Sequence, residues 1–266
     1  VAHADQSVPV LSQRLRMSPH GMIDVFVSST DAQFREVQPG NPPTWADATA
    51  YPSLGAIYLR APGARSDTEP LEQVFDHELV HILVGRAFAP ERPPTWLQEG
   101  LAQFHAEQHD LQDLRTLAAA SFSGPLPLDD LERAFPENPH KASLAYAQSA
   151  DFLVWLERTY GTESVHTLVR SMAQGLPLHE AVKNATGEPL YRIDQMWRDR
   201  FSITSPITWS RLASWDLAWL FSALLGMVAM FVVRRRQRRQ RDEIAAREQE
   251  EEALMQAIWE GRCGVR

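Results

Sequence analysis

The sequence has almost no cysteine: Cys263, fourth from the end of 266 residues, is the only one, so no disulfide framework can support the fold. It also lacks the clustered cations that nucleic acid requires. Residues 1–216 carry 17 Lys+Arg against 27 Asp+Glu, and an acidic body of this kind gives phosphates nothing to bind. There is no internal repeat, and only one long uncharged hydrophobic run, which excludes solenoids and multi-span membrane folds. With 44% hydrophobic and 23% charged residues, the composition is that of an ordinary globular chain.

The hydrophobic run is Leu217 to Val233, 17 residues in which only Ser222 and Gly226 are not hydrophobic. As a helix it would extend roughly 25 Å, enough for a bilayer core when interfacial groups flank it. Trp215 and Trp219 stand where an aromatic belt would lie, and six arginines follow between Arg234 and Arg241. This pattern predicts a single membrane span, with the arginine-rich tail in the cytoplasm and the acidic body outside it, periplasmic or at the cell surface. The chain begins with valine, and Ala2-His3-Ala4 has the small-x-small form of a signal-peptidase site, so export by a signal peptide is expected. The Glu-rich stretch after Asp242 predicts a solvated helical tail.

Periodicity and breakers organise the body. Met22 to Val27 and Gly55 to Leu59 are short β-branched or aromatic runs bounded by turn residues and predict strands. The second could be an edge strand that pairs with an extended peptide, or an ordinary sheet member. Apolar-periodic segments then predict helices over Leu71 to Val84, with Gly85 as a stop, and over Trp96 to Gln108. Further helical patterns occupy Leu111 to Ala120, Leu128 to Ala134, Leu144 to Tyr160, Ser164 to Met172, Leu178 to Asn184 and Leu190 to Phe201. A small sheet followed by helices is an α+β order. The expected division is an N-terminal segment over 1–21, a main domain over 22–211, a transmembrane helix with its flank over 212–233 and a basic-then-acidic tail over 234–266.

The chemistry lies in His77-Glu78-Leu79-Val80-His81. Residues i and i+4 share a helix face, so His77 and His81 can present two imidazole nitrogens to one metal ion, with Glu78 beside them as general base toward a water. The surrounding Val74, Leu79, Ile82 and Leu83 belong to a core-facing helix, where a polar cluster without partners would be costly. After a short loop, Pro94-Thr95-Trp96-Leu97-Gln98-Glu99-Gly100 opens a second helix and offers Glu99 as third ligand. Two imidazoles and a carboxylate suit a zinc ion that retains one open position.

HELVH followed by PTWLQEGLAQF resembles the gluzincin metallopeptidases, in particular the bacterial peptidase MA-like group related to thermolysin-type and aminopeptidase-type enzymes. The likeness spans about Met22 to Phe201 and includes the Ala145-Tyr146-Ala147-Gln148-Ser149 segment and Tyr160-Gly161. It implies a thermolysin-like domain, with His77, His81 and Glu99 as zinc ligands and Glu78 as general base. It also implies that Tyr146 hydrogen-bonds the developing oxyanion, although packing within its helix accounts for a tyrosine there equally well. Where many gluzincins carry an acidic residue that orients a ligand histidine, this chain has Gln103, whose amide oxygen could accept the same bond without the charge. The acidic amino-terminus anchor of aminopeptidase relatives is missing from Gly55-Ala56-Ile57-Tyr58-Leu59, which favours an endopeptidase. His105, His109 and His140 are alternative donors but suit loop or surface positions better.

The expected function is therefore a membrane-anchored extracytoplasmic zinc metallopeptidase acting on a protein or peptide substrate, tethered to the lipid bilayer through Leu217 to Val233. The alternative is a catalytically silent peptidase-like scaffold or accessory subunit whose partner is a membrane complex.

Overall fold

The computed structural model describes residues 2–201 apart from 41, 43–45, 66–68, 107–115, 118–119 and 121–123. These belong to one compact unit, Val1–Arg211. The expected membrane span, the basic and acidic tail, the Leu111 to Ala120 helix for the most part, and His109 lie outside the described residues. No helix among the described residues is long and apolar enough to cross a membrane.

The order is mixed α+β, mostly helical, with one small sheet. Helix α1 (Ala2–Leu15) comes first, then β1 (Asp24–Ser28), α2 (Asp31–Glu36), β2 (Ala48–Tyr51) and β3 (Ala56–Arg60). The long helices α3 (Leu71–Phe88) and α4 (Thr95–His105) follow, and after a gap α5 (Pro139–Tyr160), α6 (Thr162–Ala173), α7 (Leu178–Thr186) and α8 (Leu190–Arg198). Leu128 to Ala134, expected as a helix, forms only a single 3-10 turn at Asp129–Leu131. Two prolines and a glycine just upstream leave too few residues for a cooperative helix nucleus.

The strand order is β1-β3-β2, with β1 parallel and β2 antiparallel to β3. The Gly55 to Leu59 run is thus central in the sheet and cannot be an edge for substrate. Its alternating side chains serve two layers. Ile57 and Leu59 join the main core under α3, while Ala56 and Tyr58 form a smaller cluster with Phe34 of α2 on the opposite face.

Helix ends follow local chemistry. Asn138 Oδ1 accepts the Lys141 N–H at 3.1 Å and Pro139 supplies the pre-set first turn of α5. The far end of α5 stops at Gly161, whose φ of 85° suits a residue without a Cβ. Gly85, in contrast, does not stop α3, which continues to Phe88. A Cβ at Gly85 would come within 2.4 Å of Pro52 Cγ, so this glycine admits the β2–β3 turn against the helix.

Between the helices an aromatic column runs from Trp96 on α4 through Phe152 on α5 to Trp197 on α8, with ring centroids 5.7 and 5.4 Å apart and edge-to-face geometry. Trp197 Nε1 donates to Asp151 at 3.1 Å, which also receives Arg200. Gln148, fully buried on α5, accepts the Leu126 N–H and donates to the Leu126 carbonyl, both at 2.9 Å, and so holds the chain that leads into α5.

Helix α1 packs on α3 through the buried Leu11 and Leu15, and His3 hydrogen-bonds Asp76 at 3.0 Å. At its other end the Arg14 carbonyl pairs with His166 Nε2 of α6 at 2.8 Å. His105, at the end of α4, meets the charges of Arg14 and His166 here, and burial first, then those charges, bring its pKa down to about 4. An unfolded histidine takes up a proton near pH 6.5, so between there and pH 4 protonation favours the unfolded chain. Stability should fall as pH drops through that window, by at most about 3 kcal/mol from this residue. Denaturant melts of His105→Phe at pH 7 and pH 4.5 should show a smaller pH dependence than the parent chain; an unchanged dependence would refute the assignment.

Candidate metal centre

Helix α3 brings two histidines one turn apart onto a face that meets α4. The ring centroids of His77 and His81 lie 4.8 Å apart, and Glu99 reaches both from α4. Glu99 Oε2 is 3.5 Å from His77 Nε2 and 3.6 Å from His81 Nε2. The three residues' candidate ligand atoms fall within 4.8 Å of one another, so this cluster could hold a metal ion.

The position of Glu99 depends on its neighbour Gly100. A Cβ there would lie 2.8 Å from the Ser149 carbonyl oxygen, so only glycine lets α4 approach the backbone of α5 this closely. The Ser149 hydroxyl is turned back along its own helix, donating to the Ala145 carbonyl at 2.6 Å. Trp96 and Leu97, both fully buried, anchor the first turn of α4.

The electrostatics follow from burial. His81 is held down to about 4, chiefly because its surroundings exclude water, against the pull of the Glu99 charge. It is therefore a neutral imidazole near pH 7, the form that donates an electron pair to a metal. Burial works to raise the Glu99 carboxyl, but the charges of His81 and His77 and the His77 hydrogen bond outweigh it and leave it below the ordinary carboxylate range. Glu78, on the same helix and 8% exposed, is raised to about 7, first by burial, with His77 opposing and Glu99 adding. Some solvent access remains, since the His77, His81 and Glu99 side chains are 17%, 10% and 19% exposed.

Zinc fits this donor set. The two nitrogen-to-oxygen separations lie at the long limit of hydrogen bonding, so the His77 bond is a weak one, and are close to the ~3.4 Å between ligand atoms around a tetrahedral zinc ion. Two buried atoms nearby, His81 Nδ1 and Gln103 Oε1, have no hydrogen-bond partner among the described residues. The bond expected from a ligand histidine to the Gln103 amide oxygen is therefore not made.

Tyr146 faces this cluster from α5. Its phenol is raised above the usual range by burial and then by the charges of Glu99 and Glu78, which places it in their field. Its ring also packs edge-on against Phe135 at 4.7 Å, so packing and proximity to the site coexist. The alternative histidines lie elsewhere: His105 answers to Arg14 and His166, and His140 is exposed in the first turn of α5.

A helix carrying two histidines and a glutamate, crossed by a second helix carrying another glutamate, defines a metallopeptidase-like site on an α+β scaffold. The chain belongs to the Peptidase MA superfamily, whose family model matches residues 3–203. No curated protein matches it.

The protein purified without chelator should carry about one equivalent of zinc, measured by elemental analysis, and Glu99→Ala should lose most of it while retaining its helical circular dichroism. Full zinc retention in that variant would remove Glu99 from the ligand set.

Proposed function

We propose that the protein is a zinc endopeptidase of the gluzincin type, with His77, His81 and Glu99 holding the ion and Glu78 as general base. The observation that carries this reading is the convergence of two imidazole nitrogens and one carboxylate oxygen at zinc-like separations with a further buried carboxylate alongside. A bound zinc ion would supply Lewis acidity, lowering the pKa of water and polarising the substrate carbonyl.

The chain's own groups would do the remainder. Glu78 takes a proton from the attacking water onto its carboxylate and delivers it to the amide nitrogen as the C–N bond breaks. The water oxygen ends in the new carboxylate, and both water protons end on the departing nitrogen, which leaves as an ammonium group. Tyr146 donates its O–H to the carbonyl oxygen as negative charge develops there. The sheet edge that packs on α3 is β2, and its outward backbone groups are where an extended peptide would pair.

Glu78→Gln retains the size of the side chain but cannot accept the proton. Zinc content and melting temperature should persist while peptide cleavage falls by ~10²- to 10⁴-fold. Undiminished cleavage by Glu78→Gln would overturn the general-base assignment, and a cellular role that survives the substitution would favour the scaffold function.

We also propose that this domain is tethered outside the cytoplasm by Leu217 to Val233, with the arginines from Arg234 onward inside. Cys263, the only thiol, reports on this directly. A membrane-impermeant maleimide should label it after permeabilisation and not in intact cells; labelling of intact cells would invert the orientation.

A further inference from the structure

Strand β1 is an edge of the sheet among the described residues, and it is unusually bare. Asp24 through Val27 are all exposed, on both faces of the strand, with Val25 at 40%, Phe26 at 43% and Val27 at 56%. Met22, just before it, is 78% exposed. Few of the devices that usually protect an edge are present: the segment from Met22 to Ser28 has no lysine, no proline and, in its pairing with β3, no bulge, and Asp24 is its one charge.

The ladder shows which backbone groups are on offer. Asp24 pairs with Ala56 and donates its N–H to the Gly55 carbonyl at 2.8 Å, and the Ala61 N–H reaches the Ser28 carbonyl at 2.9 Å. In a parallel pair alternate residues bond inward, so Asp24, Phe26 and Ser28 turn their backbone groups toward β3. Val25 and Val27 turn theirs outward. Two outward residues at i and i+2 are self-complementary about a two-fold axis through Phe26.

We propose that β1 pairs antiparallel with β1 of a second copy of this chain, joining two three-stranded sheets into one. In that register Val25 lies opposite the second copy's Val27, and Val27 opposite its Val25, so that both pairs exchange N–H and C=O bonds. Phe26 meets its symmetry mate across the axis at a non-hydrogen-bonded position, where side chains are closest. The only charge in the strand, Asp24, then faces an uncharged Ser28, so no like charges oppose one another. Phe26 already stacks on Tyr58 at 4.8 Å with planes 12° apart, and Tyr51 meets Tyr58 edge-on at 5.6 Å. Pairing would continue this aromatic row from one sheet into the next. A second copy satisfies both the hydrogen-bond pattern and the charge pattern with one symmetric contact.

The full chain in mild detergent, in a Cys263→Ser background, tests this by sedimentation at tens of micromolar. A dimer is expected. Val27→Lys alters only an exposed edge side chain and should weaken the dimer by roughly tenfold or more, with the circular dichroism unchanged. Register is tested by oxidation: Phe26→Cys should cross-link to its mate rapidly, and Val25→Cys, which faces residue 27 of the other copy, slowly. A monomer at these concentrations overturns the proposal. So does a dimer that Val27→Lys leaves intact, as association through residues 217–233 would, or equal cross-linking at positions 25 and 26.

Discussion

The structure turns on one constraint: polar side chains are held inside helix packing that is otherwise apolar. His81 and Glu78 are buried among Leu79, Val80, Ile82 and Leu83, and a buried polar group without a partner costs roughly 1–3 kcal/mol. That expense is tolerable only if the groups answer one another, which is what α4 achieves by delivering Glu99 between the two imidazoles. Burial pushes both glutamates up, and the histidines separate them chemically. Glu99, facing both histidines, stays a ready anion, while Glu78, raised by burial and further by the Glu99 charge against the opposing pull of His77, holds a proton far more easily.

Delivering Glu99 depends on backbones that come unusually close. Gly100 brings α4 against Ser149 of α5, and Gly85 brings the β2–β3 turn against α3. Beyond these contacts the aromatic column and the Asp151 cluster fasten the C-terminal helices to α5, and Gln148 fastens the loop before it. The cluster is thus supported from sheet, loop and helix sides, as a preorganised site requires.

The helices and the cluster were legible because their signals are local. His77 and His81 share a face by spacing alone, and long apolar periodicities such as Leu144 to Tyr160 persist whatever they pack against. Elements defined by distant partners were not legible. Strand β2 is the alanine-rich ATAY, with little intrinsic preference, and exists because β3 pairs with it. The central position of β3 depends on strand order, which no local pattern encodes. Gly85 reads as a helix stop in sequence and is a contact in space. Helix α1 was hidden by Pro9 within it and by its polar residues. Tyr146 could be associated with the site only by resemblance, because nothing in its own neighbourhood points across to α3.

Helix α1 has a bearing on where the functional unit begins. His3 engages Asp76, the residue immediately before His77, and Leu11 and Leu15 close the adjoining flank of α3. A fragment cut at the first strand would strip that flank bare and leave a half-buried carboxylate without its imidazole one position from His77. A shortened chain made for crystallisation therefore has to keep the amino-terminal helix as structural mass, with the upstream cut made before Ala2 and not at the boundary between residues 21 and 22 that the sequence pattern suggests.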